Sequence, residues 1–197
     1  MLYDNDLVSN KLRYWEGYIK EYKLPTWDEI PNFGLYMEQI ISLLQKYLDY
    51  MPPELKEEQL ITASTINNYV RTKTMPKPKK KKYYREHLAY LIMILTLKQS
   101  LSLALIQKLI PLELSTDELK SFYTSYVKYH SVCANYFTKQ VTLAASPILN
   151  NKPQSEISIN KPEDLIIVSA IIGGFTCLLA EKLISLKNQN LEERNKN

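Results

Sequence analysis

The chain is expected to be all-α, and three features of its 197 residues say so. It has only four glycines, which leaves little material for tight hairpins. Alternating runs of Val, Ile and Thr, the mark of a half-buried strand, are scarce, while Leu, Lys, Glu, Gln and Ile fill long stretches and favour helix. Hydrophobic residues make up 45% and charged residues 23%, the balance of a folded globular chain, so a packed core is expected rather than disorder. The length suits one sizeable domain or two small ones.

Residues 6–22 carry Leu7, Leu12, Trp15, Tyr18, Ile19 and Tyr22 at near-helical spacing, with polar residues between them, which describes an amphipathic helix. Leu24-Pro25 stops it. Pro31 and Gly34 bound an irregular connection, and a second periodic run over 35–50 ends at Pro52-Pro53. Thr62 is placed to cap a short third helix in which Ile66 and Val70 lie one turn apart, and Met75-Pro76-Lys77-Pro78 ends it. An extended basic strand or loop follows, closed by Tyr83 and Tyr84. Helical periodicity resumes over 85–99 through Leu88, Leu91, Ile92, Leu95 and Leu97. Ser102 caps a short helix over 103–110, broken by Pro111. Ser115-Thr116-Asp117-Glu118 has capping-box spacing and opens a long helix to about residue 144, rich in Tyr and Phe. Residues 146–164 are polar, hold Pro147, Pro153 and Pro162, and read as a connection. A last helix is expected from Pro162 to about residue 188, with Glu163 and Asp164 favourable at its positive end. The division expected is 1–111 for an N-terminal unit and 112–197 for a C-terminal helical module.

The formal net charge is only +4, yet Arg71, Lys73, Lys77, Lys79, Lys80, Lys81, Lys82 and Arg85 place eight positive charges within residues 71–85, with no acidic residue among them. The rest of the chain therefore sums to −4. A concentrated patch on a mildly acidic molecule attracts a polyanion, and phosphates are the expected partner chemistry. Directly before the patch, the short helix over 62–71 offers Ser64, Thr65, Asn67, Asn68 and Arg71. Asn can bond adenine bidentately and Arg can bond guanine or phosphate, so these residues suit a reader of base edges and the walls of a groove. An isolated lysine run is commonly a solvated loop, but this one follows a candidate recognition helix and is bracketed by Pro78 and Tyr83.

The order of these features resembles the MerR-type winged helix-turn-helix. The residues that carry the resemblance are the run from Ile61 through Thr65-Ile66-Asn67-Asn68-Tyr69 to Val70, then Met75-Pro76-Lys77-Pro78, Tyr83-Tyr84, and Leu101-Ser102-Leu103-Ala104-Leu105-Ile106. In that family a Thr-Ile-x-x-Tyr recognition helix precedes a Leu-x-Pro turn, a basic wing ending in Tyr, and two further helices. Extended back through Trp27, Ile30, Pro31, Leu35-Tyr36-Met37 and Gln39-Ile40, the chain also resembles the bacterial family called domain of unknown function 1836. The resemblance implies a regulator that binds double-stranded DNA, with Lys73, Lys77, Lys79, Lys80, Lys81, Lys82, Tyr83, Tyr84 and Arg85 on phosphates. The sensor half of that family does not carry over; a homodimer is expected instead from the apolar C-terminal helix, with the C-terminal module serving dimerisation or the sensing of an unknown small-molecule effector. The chain departs from the MerR pattern in three ways: the wing has no glycine, Asn67 stands where Arg is usual, and no long helix follows directly to form an antiparallel dimerising coiled coil.

Other classes fare worse. His87 and His130 are the only histidines, and His130 with Cys133 gives two metal ligands where zinc needs three or four. No phosphate-binding glycine loop and no Gly-x-Ser-x-Gly elbow occurs, and the acidic pairs Glu57-Glu58 and Glu192-Glu193 sit in polar segments. No enzyme, metal or cofactor is expected. The uncharged run 165–180 is shorter than the ~20 residues that cross a bilayer, so a buried or dimer-interface helix is expected there. Two cysteines and no export signal over Met1-Leu2-Tyr3-Asp4-Asn5-Asp6 fit the cytoplasm. A non-specific nucleic-acid or polyanion binder would use the same basic patch and is the competing reading; membrane association is a weaker one.

Overall fold

The computed structural model describes residues 5–49, 61–147, 149, 172, 173 and 176. The fold is all-α, and no strand occurs among the described residues, only the isolated bridges Leu35 to Tyr83 and Lys79 to Lys82. The helices are α1 (Asn5–Glu21), α2 (Met37–Tyr47), α3 (Ala63–Arg71), α4 (Arg85–Leu97), α5 (Leu103–Leu109) and α6 (Thr116–Ala144), with a 3₁₀ turn at Trp27–Glu29. The second helix ends at Tyr47, capped by Leu48, short of the expected run to residue 50. Pro52-Pro53, most of the connection over 146–164 and the acidic pairs lie outside the described residues. So does most of the last helix, including the apolar run; of it, Ile172, Gly173 and Thr176 are helical. Among the described residues no helix is long and apolar enough to cross a membrane.

Local chemistry sets the starts of three helices. The Thr62 and Ser102 hydroxyls accept the N–H groups of Thr65 and Leu105, and Ser115 with Glu118 forms the reciprocal capping box that opens α6. Each bond satisfies a backbone donor that the first helical turn leaves without a partner.

At the centre lies α4. Its residues 87–94 are all buried, so it is apolar on every side rather than along one stripe, as befits a helix packed on several faces. Around it α2 contributes Ile40 and Leu44, α3 Ile66 and Tyr69, α5 Ile106, and α6 Leu119 and Tyr123. The core therefore runs on past residue 111 into α6. Polar ends of buried aromatics are satisfied: Tyr123 Oη donates to the Pro25 carbonyl at 2.8 Å and Tyr90 Oη to that of Pro111 at 2.8 Å. α1 lies along α6, where Arg13 donates to the Leu149 carbonyl at 2.9 Å and Tyr22 meets His130 edge-on.

The Tyr69 hydroxyl is the exception: it is buried and has no hydrogen-bond partner among the described residues. An unsatisfied buried hydroxyl carries its desolvation cost uncompensated. Tyr69→Phe is therefore expected to raise the unfolding free energy by about 1 kcal/mol in urea titration. A clear loss of stability would show that the hydroxyl has a partner.

Candidate nucleic-acid interface

On α3, Ile66 and Tyr69 are buried and Val70 is half-buried against the core. Tyr69 is thus the fully buried companion of Ile66, with Val70, one turn from Ile66, only half-buried on the same inward side. The opposite stripe carries Ser64, Asn67 and Arg71, all exposed, with Asn68 half-buried beside them. Residues 64, 67, 68 and 71 share that stripe because each helical residue turns the direction by about 100°. The Arg71 guanidinium donates to Asn68 Oδ1 at 2.7 Å, so one acceptor of Asn68 is already used. Thr65 is half-buried and its hydroxyl lies 2.9 Å from that of Thr62, which turns it to the helix start.

The end of α3 is a Schellman turn. Lys73 N–H donates to the Val70 carbonyl at 3.2 Å and Thr74 N–H to that of Tyr69 at 2.8 Å, with Lys73 in the left-handed region at φ 55°. Gln107 of α5 holds this end from outside, its amide donating to the Thr72 carbonyl at 2.7 Å and to the Thr74 hydroxyl at 2.9 Å.

The basic segment then folds into a two-residue turn. Lys79 and Lys82 exchange N–H to carbonyl bonds of 3.0 and 2.9 Å, and the central Lys80 and Lys81 have φ of 50° and 62°. Positive φ at both central residues is the type I′ signature, normally supplied by Asn-Gly. A side chain in that region costs roughly 1–2 kcal/mol per residue. Among the described residues, Lys73, Lys80 and Lys81 are the non-glycine positions with positive φ, and no glycine has it. Every left-handed position described is thus a lysine of the basic segment.

Distant residues fix the turn. Leu35 and Tyr83 exchange two backbone hydrogen bonds of 2.8 Å, which joins residues 33–36 to 82–84 as a short antiparallel ribbon. Buried His87 ties its legs: Nδ1 accepts the Tyr84 N–H at 3.0 Å, so the ring proton sits on Nε2, which donates to the Lys77 carbonyl at 3.0 Å. A Cβ on Gly34 would stand 2.9 Å from Lys82 Cδ and 3.0 Å from Tyr84 Cζ, so a larger residue there would push those side chains from where they cross the ribbon.

Lys73, Lys77, Lys79, Lys80 and Lys81 are exposed; Lys82, Tyr84 and Arg85 are half-buried. Tyr83 is placed differently from expectation: it is 3% exposed, and its ring belongs to the core and anchors the ribbon from below. Arg85 is also committed to the fold. Its Nε donates to the Ile30 carbonyl at 2.8 Å, and its guanidinium lies 3.7 Å from Asp28 and over the Trp27 ring. Sequence reasoning missed Phe33 and Tyr36, both exposed on the arm that pairs with the basic segment, Tyr36 with the Lys82 ammonium over its ring. Gly34 between two aromatics was the signal that could have found them.

Away from this surface, burial pushes the His130 imidazole below its ordinary value, while Cys133 is exposed. Among the described residues no three His, Cys, Asp or Glu side chains gather as metal ligands would. A family model described as "Domain of unknown function (DUF1836)" matches residues 25–131, the stretch from the 3₁₀ turn through the ribbon into α6. No curated protein and no solved structure matches the chain.

Proposed function

The chain belongs to the family described as "Domain of unknown function (DUF1836)", and from that premise we propose that it is a transcriptional regulator that binds double-stranded DNA. In this reading α3 lies in the major groove with Ser64, Asn67 and Arg71 toward base edges and groove walls. Lys73, Lys77, Lys79, Lys80, Lys81 and Lys82 meet the flanking phosphates. One observation carries the reading: a short helix with an exposed polar stripe runs directly into a hydrogen-bonded lysine turn, each part braced from the core. Phosphate contacts supply affinity and register, and base contacts supply discrimination, so a rigid pair of such surfaces suits a sequence reader.

The likeness to a MerR-type winged helix-turn-helix lies in α3, the ribbon as wing, and α4 and α5 behind them. Residues 50–60, which precede α3, lie outside the described residues, so the likeness rests on the elements from α3 onward. We propose a homodimer acting in the cytoplasm, with the C-terminal module for dimerisation or effector sensing. Exposed Tyr129, Val132 and Tyr136 on one face of α6 support an apolar contact there.

Selection of bound duplexes from a random pool tests the function. Enrichment of one motif is expected, palindromic if the protein binds as a two-fold dimer. Retention of all sequences alike would favour a polyanion binder, and retention of none would overturn the proposal.

A further inference from the structure

Beyond duplex reading, we infer that the outer face of the ribbon is a stacking site for an unpaired base of single-stranded DNA. Side chains alternate across a ribbon, and here Leu35 and Tyr83 turn inward to the core. The outward positions are then Gly34 and Tyr36 on one arm, and Lys82 and Tyr84 on the other. Gly34 has no side chain, so the Lys82 stem and the Tyr84 ring lie across it. The Lys82 ammonium stands 5.3 Å from the centre of the Tyr36 ring. Tyr36 is 56% exposed and Phe33, next to Gly34, is 61% exposed.

Two large aromatics left in water beside a lysine cluster have a specific chemical complement. A base offers a flat apolar surface to stack on a ring, and its own strand carries the phosphates that the lysines attract. A duplex keeps its bases stacked on one another, whereas an unwound strand presents them. The backbone holds the ring in place, because Tyr36 N–H donates to Gln39 Oε1 at 2.9 Å at the start of α2 and Leu35 is paired to Tyr83. Pre-organised aromatics lose little freedom on stacking.

The test compares a short thymidine oligomer with an abasic oligomer of the same length, which keeps the phosphates and lacks the bases. The intact protein should bind the thymidine oligomer about tenfold more tightly for each stacked base. Tyr36→Leu should lower that affinity toward the abasic level, and Tyr36→Phe should retain the preference, because stacking needs the ring and not the hydroxyl. Equal affinity of the intact protein for the two oligomers, or a preference that survives Tyr36→Leu, would overturn the inference. A ribo-oligomer bound to the exclusion of the deoxy-oligomer would do the same. Should Tyr36→Leu fail to fold, photo-cross-linking of an iodouridine-substituted deoxy-oligomer to the intact protein decides: attachment at Phe33, Tyr36 or Tyr84 supports the site, and attachment only elsewhere sinks it. No duplex enters these measurements, so they succeed or fail apart from the groove-reading proposal.

Discussion

Replacing the turn by Lys79→Gln, Lys80→Asn, Lys81→Gly and Lys82→Gln is expected to weaken binding to every duplex by on the order of a thousandfold at about 0.1 M salt. The same variant should unfold at higher urea than the parent. The two effects have separate causes. Each phosphate contact releases condensed counterions, so losing up to four of them flattens the salt dependence by a slope of about one per contact. Asn-Gly, by contrast, is the pair that a type I′ turn prefers. It relieves the left-handed strain at Lys80 and Lys81 and should add about 1–2 kcal/mol to stability. The backbone bonds between positions 79 and 82 and the Leu35 to Tyr83 pair do not depend on the lost side chains. A variant that binds as before would remove the ribbon from the interface. One that is less stable would mean that the lysine side chains brace the fold.

Asn67→Ala is expected to cost about 1–3 kcal/mol on the preferred duplex and almost nothing on a shuffled one. Asn67 is exposed on the polar stripe of α3, and among the described residues no hydrogen bond restrains its amide, whereas the Asn68 oxygen already accepts from Arg71. Asn67 is therefore the better placed of the two to pair with the edge of adenine. Removing it leaves Ile66 and Tyr69 in place, so the helix should persist. Equal loss on both duplexes would assign Asn67 to phosphate, and no loss on either would remove it from the interface. Competition binding on the two duplexes at one salt concentration separates these outcomes.

What the sequence reveals about this fold follows the range of the interactions involved. Caps are local, so Thr62, Ser102 and Ser115 mark the starts of α3, α5 and α6 by residue type and spacing alone. The end of α3 is legible from Met75-Pro76, and the basic patch from composition alone. Tertiary choices are less visible. The periodicity of residues 85–99 reads as one apolar stripe, yet α4 is buried on all sides because α2, α3, α5 and α6 surround it. Val70 and Tyr69 are equally suited to an inward face, and only the position of the core distinguishes them. The lysine turn carries none of the Asn-Gly signal that marks a type I′ turn, so it reads as a strand or loop. Its pairing partner lies far back in the chain at 33–36, and its brace, His87 to Lys77, like the Gln107 to Thr72 bond that holds the end of α3, is a pairing that no spacing rule announces. Tyr83 and Arg85 belong to the basic segment by sequence and to the core and the 3₁₀ turn by contact.

The most direct measurement of the central claim is a salt titration of the intact protein on the selected duplex and on a shuffled duplex of the same composition. Phosphate contacts are common to both, so the two plots of log affinity against log salt should fall with steep, nearly parallel slopes. Base contacts belong to the selected duplex alone, so its line should lie above the other by on the order of a thousandfold or more. Two coincident lines would contradict the account and leave a polyanion binder. A selected duplex whose affinity ignores salt would contradict it from the other side, because the lysine turn would then not be touching the backbone.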